Sequence, residues 1–162
     1  MFADSILNNI TLFNEKISKK EVEEAAKNIG VLEFINKLPG GLNYNVKERG
    51  VMLSEGQRQI ISFLRAYVSN PNILILDEAT SSIDSKTEEL IQFATNKLIQ
   101  DKTSIIIAHR LSTIISADKI IVMKSGKIIE IGSHSELITR KGYYKKLYEV
   151  QFEKKELFTE IF

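Results

Sequence analysis

The chain has 162 residues, 43% of them hydrophobic and 27% charged, with a formal net charge of +1, two histidines and no cysteine. That length fits one domain or part of a larger one, and the apolar share suffices for a packed core, which excludes wholesale disorder. The near-neutral charge argues against a broad nucleic-acid-binding face. Without cysteine, neither a disulfide scaffold nor a cysteine-ligated zinc site can form, and the lack fits a reducing compartment. The longest apolar runs, residues 73–76, 105–108 and 120–123, fall far below the roughly 18–20 residues of a spanning helix. The N-terminus Met-Phe-Ala-Asp-Ser has no basic region followed by an apolar one, so it does not read as a secretory signal. The chain itself is expected to be soluble, with any membrane link made through a partner or through sequence beyond it.

In chain order, the first half reads as helical and polar. Ser18-Lys-Lys-Glu21 has capping-box spacing and predicts a short helix that stops near Gly30. Residues 31–38 predict another short helix, ended by Pro39-Gly40-Gly41. Residues 41–52 read as a loop with Lys47-Glu48-Arg49-Gly50 as its charged centre. A second capping box, Ser54-Glu55-Gly56-Gln57, opens a longer helix to about Ser69. In it Ile60, Ile61, Leu64 and Val68 recur at helical spacing, and Asn70-Pro71 ends it. From residue 72 the texture changes. Residues 73–76 and 104–108 predict strands buried on both faces, with a helix over 87–100 between them and one helical turn over 113–116 after them. Residues 120–123 and 127–131 predict a hairpin turning at Lys124-Ser-Gly126. Ser133-His-Ser-Glu136 is a third capping box, and a last helix is expected from about Tyr143, before a frayed Lys/Glu-rich tail. Strands alternating with helices make this an α/β chain with parallel strands covered by helices.

Three places could carry chemistry. Asp77-Glu78 directly follows an apolar strand, and ligands of open α/β sheets bind beyond the carboxyl ends of strands. One carboxylate there can hold Mg2+, directly or through water, and its neighbour can deprotonate a water. The same pair would equally serve to cap the following turn. Ser54 to Gln57 opens a helix whose free N–H groups and dipole suit an anion, with Ser54 adding a hydroxyl donor and Gly56 allowing close approach. Taken alone, that segment is an ordinary capping box. His109 ends the second strand beside Arg110, where it could contact phosphate or polarise a water, although a lone histidine is more often simply packed.

As an ordered series the three read differently. Leu53-Ser-Glu-Gly-Gln57, then Ile73-Leu-Ile-Leu-Asp-Glu-Ala-Thr-Ser-Ser-Ile-Asp84, then Ile107-Ala-His-Arg-Leu111 resembles the nucleotide-binding domain of ATP-binding-cassette (ABC) transporters, over about residues 3–150. Residues 53–57 resemble its signature motif, 73–77 its Walker B strand, Ser81 to Asp84 its D-loop and His109 its switch histidine. Lys47 to Gly50 resembles the exporter-type loop that faces the coupling helices of the membrane domain. The resemblance implies a partial P-loop NTPase (RecA-like) core plus the ABC helical subdomain. Residues 1–70 would form that subdomain, 71–150 the C-terminal part of the ATPase core and 151–162 a tail.

It also implies roles. Ser54, Gly56 and Gln57 would grip the γ-phosphate of ATP bound to a second nucleotide-binding domain, Asp77 would help hold Mg2+ through water, Glu78 would activate the attacking water, His109 would stabilise the γ-phosphate and Asp84 would contact across the dimer. Hydrolysis would then drive an exporter from the cytoplasmic face of the membrane, the second domain being an identical or a different chain. Two departures stand out. No G-x-x-x-x-G-K-[ST] stretch is present: Gly126-Lys127 is followed by Ile128 and Gly142 by Tyr143. The chain therefore reads as a C-terminal part, inactive by itself, with the phosphate-cradling half and membrane helices expected upstream. Its sheet faces and edges, stripped of that half, are expected to self-associate. Glu55 stands where the family's signature has glycine. It favours the helix through the dipole but would repel triphosphate, so it is expected to point to solvent. Two further readings compete with the exporter module. One is a stand-alone regulatory protein lending its signature helix in trans. The other is a non-transport ATPase acting on DNA or ribosomes, which the exporter-like loop, the Ala108-His109-Arg110 segment and the near-neutral charge disfavour.

Overall fold

The computed structural model describes residues 1–77, 84–108 and 111–150. These fall into two compact units, one of residues 1–76 and 84–106, the other of residue 77 with the described part of 107–150.

In the first unit, α1 (Ile6–Thr11), α2 (Lys19–Asn28) and α3 (Leu32–Asn36) lead through two 3-10 turns to α4 (Glu55–Ser69). Serines start α2 and α4 for a physical reason. The first N–H groups of a helix lack intrahelical partners, and a serine oxygen one residue before the helix supplies one. Ser18 caps α2 and Ser54 caps α4, each with a glutamate or glutamine at the third position bonding back. Helix α1 is a structural addition to the sequence reading. Its cap, Ser5, accepts from the Asn8 N–H at 3.1 Å, but no glutamate or glutamine completes a box, and six residues show no periodicity. Helix α4 ends where Asn70 turns left-handed (φ 43°) ahead of Pro71, which cannot continue the helix.

The α4 face carrying Ile60, Ile61 and Leu64 is almost wholly buried, in a core shared with Ile6, Ile10, Val22, Ile35, Leu74, Ile91 and Leu98. Each such side chain contributes about 1.5–3 kcal/mol, so packing holds this helix more than propensity does. Strand β1 (Ile73–Asp77) and β2 (Thr103–Ile107) pair in a two-stranded sheet, joined by α5 (Ser85–Ile99). The Thr103 N–H donates to the Asn72 carbonyl at 3.3 Å. The two strand starts are therefore neighbours and the pair is parallel, as a connection through a long helix requires. The expectation of burial on both faces holds for one face only. Leu74 and Leu76 face the core, while Ile73, Ile75 and Ile105 are 63%, 69% and 56% exposed. Helices α4 and α5 pack together, and among the described residues of this unit nothing covers the opposite side of the sheet.

In the second unit, α6 (Leu111–Ile115) precedes an antiparallel hairpin of β3 (Ile120–Lys124) and β4 (Lys127–Gly132), then α7 (His134–Arg140) and a helical stretch at residues 143–150. The hairpin turns at Ser125 and Gly126 with φ of 50° and 73°, the left-handed pair that a tight two-residue turn demands. A bulge between Val122 and Met123 shifts the register from Val122↔Glu130 to Met123↔Ile128. Val122, Leu137 and Tyr144 form a small core. Glu130 then does what serine does elsewhere: its two carboxylate oxygens accept from the N–H groups of Tyr143 at 2.9 Å and Tyr144 at 2.7 Å.

Candidate functional site

The most developed site is the start of α4. The Ser54 Oγ accepts from the Gln57 N–H at 3.2 Å, and the Gln57 Oε1 accepts from the Ser54 N–H at 2.9 Å. This box uses two donors of the helix start. The N–H groups of Glu55 and Gly56 lie in the first turn, where no intrahelical carbonyl reaches. The Ser54 hydroxyl hydrogen is likewise uncommitted by the bond its oxygen accepts. Two amides and one hydroxyl at the positive end of a fifteen-residue helix are suited to a phosphate group. Gly56 is buried, and Glu55 is exposed, so its carboxylate has room to stay clear of an anion at this end.

The loop leading into the helix is held in costly backbone conformations. Lys47 has φ 60° with ψ −176°, a region almost reserved for glycine, and Arg49 is left-handed at φ 55°. Each costs about 1–3 kcal/mol, and such residues concentrate where function over-determines shape. Gly50 follows at φ 70°, buried, where a Cβ would press on the Met1 Sδ and the Arg58 side chain. Arg58, on the second turn of α4, donates from its guanidinium to the Leu53 carbonyl at 2.7 Å. Sequence reading passed over Arg58. The only signal is its place four residues after the cap, where a long side chain can fold back over the preceding loop.

Other predicted residues stand at element ends. Asp84 caps α5, accepting from the Thr87 N–H at 3.0 Å, and that bond holds its carboxyl below the usual aspartate range. Asp77 is the exposed last residue of β1. Glu78, His109, Arg110 and residues 81–83 lie outside the described residues, as does the tail from 151. The structure thus gathers Ser54, Gly56 and Gln57 into one helical turn and puts Asp77 and Asp84 at a strand end and a helix start. Among the described residues no cluster of three or more histidine, cysteine or acidic side chains could hold a metal. A lone Asp77 fits Mg2+ only where phosphate and water complete the shell, which is the usual habit of that ion.

Comparison with known proteins places this geometry in a family. The family model described as ABC transporter matches residues 2–81. The "probable multidrug resistance ABC transporter ATP-binding/permease protein YheH" of Bacillus subtilis (strain 168) is 44% identical over 151 residues, which make up 93% of this chain and 22% of that protein. A Staphylococcus aureus (strain NCTC 8325 / PS 47) protein, named for multidrug export as an ATP-binding/permease protein, is 48% identical over 151 residues, 93% of this chain and 26% of its own. Among solved structures, that of a bacterial Atm1-family ABC exporter with ATP bound superposes with a TM-score of 0.81 at 40% identity, over 93% of this chain and 26% of that one. The chain spans about a quarter of the length of the curated relatives it matches. With the family's motif order, its α/β strand–helix pattern and a signature-type helix start all present in one chain, the protein belongs to the ABC transporter family.

Proposed function

We propose that this chain is the signature-bearing part of the ATP-hydrolysing module of an ABC exporter, with residues 1–70 as its helical subdomain and 71–150 as the C-terminal part of its ATPase core. The observation that carries the reading is the start of α4, where Ser54 and Gln57 close a capping box and the Glu55 and Gly56 amides lie in the first turn. On this reading the Ser54 hydroxyl and the Glu55 and Gly56 amides receive γ-phosphate oxygens of an ATP held by a second nucleotide-binding domain. Gln57 keeps Ser54 in place. Asp77 holds Mg2+ through water, Glu78 takes the proton of the attacking water, His109 hydrogen-bonds the γ-phosphate and Asp84 meets the partner domain. ATP supplies the phosphoanhydride whose cleavage drives the cycle. The strained loop at Lys47 to Gly50 faces the membrane domain, at the cytoplasmic side of the membrane.

The isolated chain is catalytically silent, because it has no loop to cradle its own triphosphate, and it associates through the exposed Ile73, Ile75 and Ile105 face. A Mg-ATP titration of the purified 162-residue chain by calorimetry tests the reading, run beside ATPase assays of the protein expressed from its complete reading frame. The expected result is no binding to the chain alone, with hydrolysis by the complete product that Glu78→Gln abolishes. Micromolar binding to the chain alone would overturn it and point to a stand-alone protein.

A further inference from the structure

A buried polar link joins the far part of α4 to the first residues of the chain. Asn9, on α1, is fully buried. Its Oδ1 accepts from the Phe2 N–H at 2.8 Å, and its Nδ2 donates to the carbonyls of Phe2 at 3.1 Å and Ser5 at 3.0 Å. The main-chain carbonyl of Asn9 accepts from the Arg65 Nε at 2.7 Å, and Arg65 stands on α4. One guanidinium nitrogen of Arg65 is buried with no hydrogen-bond partner among the described residues. Burial also pulls the guanidinium below the usual arginine range.

For stability alone this is a poor arrangement. A partly desolvated cation with an unfilled donor costs more than an apolar side chain of similar length. What it adds is direction. Apolar packing between α1 and α4 is non-directional and leaves sliding and rotation cheap. A short bond from a cation to one particular carbonyl selects a single axial position and a single rotation. Asn9 extends the same constraint to the backbone of residues 2–5.

We infer that Arg65 and Asn9 are positioning residues for the signature helix, fixing α4 against the segment Phe2 to Ser5 so that Ser54 and Gly56 meet the phosphate in register. The inference rests on the reading of α4 as the phosphate-gripping helix. Arg65 lies about 16 Å along the axis from Ser54, so a tilt of about 4° about that anchor displaces Ser54 by about 1 Å. A displacement of that size stretches the hydrogen bonds from Ser54 and Gly56 beyond their working length and so weakens the grip on phosphate.

The test uses Arg65→Met and Arg65→Lys in the protein expressed from its complete reading frame, measuring the ATP dependence of hydrolysis and the thermal unfolding temperature. Methionine removes the buried charge and lysine removes the planar fork. The expected result for both is a half-saturating ATP concentration raised about tenfold with kcat within about twofold, and for Arg65→Met an unfolding temperature no lower than that of the parent. Asn9→Asp, which keeps the acceptor for Phe2 and loses both donors, raises the half-saturating concentration in the same direction. If Arg65→Met fails to fold, Arg65→Lys decides alone. An unchanged half-saturating concentration, or a joint fall of kcat and unfolding temperature without a change in it, would overturn the inference and leave the functional reading standing. A parent protein that does not hydrolyse ATP overturns both.

Discussion

Replacing Ser54 by alanine and by aspartate separates what this side chain does for the helix from what it does for a ligand. Ser54 accepts the Gln57 N–H at 3.2 Å. Alanine deletes that acceptor, and loss of such a cap costs about 1 kcal/mol, within a range of about 0.5–2. Aspartate restores an acceptor and adds a negative charge at the positive end of the dipole, so its stability returns to within about 0.5 kcal/mol of the parent. Toward a phosphate the order reverses. A carboxylate about 4 Å from a phosphate oxygen, at an effective dielectric near 20, opposes it by about 4 kcal/mol, or roughly three powers of ten in affinity. In urea unfolding of the 162-residue chain followed by helical circular dichroism, a slope of about 2 kcal/mol per molar places the alanine midpoint about 0.5 M below the parent. The aspartate midpoint stays with the parent. In the complete protein the aspartate variant loses ATP hydrolysis while the alanine variant retains part of it. An aspartate variant as unstable as alanine refutes the capping argument. One that is stable and hydrolyses ATP at the parental rate refutes the placement of phosphate at Ser54.

Four further outcomes follow from the same geometry. Glu55→Gly changes ATP-driven dimerisation of the complete protein little, because the Glu55 side chain is exposed; a large gain would mean that its charge faces the phosphates. Gly142→Ala puts a Cβ where the Glu130 carboxylate sits, displacing its two charge-assisted bonds, each contributing about 1.5–3 kcal/mol. Faster amide exchange at Tyr143 and Tyr144 reports the loss, and unchanged exchange contradicts it. Glu21 is held low by the Ser18 hydroxyl and N–H, Asp84 by the Thr87 N–H and Glu136 by the Ser133 N–H, from ordinary values of 4.5, 3.8 and 4.5. Carboxyls depressed in the folded state stabilise fully above their unfolded values and lose that contribution as pH falls through the folded ones, so the melting temperature holds down to about pH 5 and declines below it. A melting temperature level through pH 3 would exclude these caps as contributors. Finally, Ile75→Lys and Ile105→Lys shift the chain toward monomer in sedimentation across a concentration series, since both side chains lie on the exposed sheet face; association unaffected by either removes that face as its cause.

The local signals proved as legible as their chemistry is local. The three spacings read as helix starts, at Ser18, Ser54 and Ser133, became capping boxes closed from both sides. Such a box is closed within four consecutive residues and needs no distant partner. The Lys124-Ser-Gly126 turn and the Asn70-Pro71 stop belong to the same class. Helix α1 was not legible, since its six residues show neither a box nor a period. Asn9, Arg58 and Arg65 were not either: each acts on a main-chain carbonyl or amide that only folding brings near, and a carbonyl has no letter in the sequence.

Sequence alone determined the family, through an ordered series of motifs whose spacing chance reproduces poorly, and with it the residues expected to handle phosphate. It also determined which serines start α2, α4 and α7, and that Asn70-Pro71 stops α4, but not that Asp84 starts α5. Tertiary structure decided which apolar residues are covered. Ile73 and Leu74 are equally hydrophobic neighbours in one run, yet Leu74 is 5% exposed and Ile73 63%. Alternation along a strand sends them to opposite faces, and only the placement of α4 and α5 determines which face meets a core. The same folding brought the Arg65 guanidinium onto the Asn9 carbonyl, 56 residues away in the chain, a contact that depends on the packing of two helices and on no pattern within either.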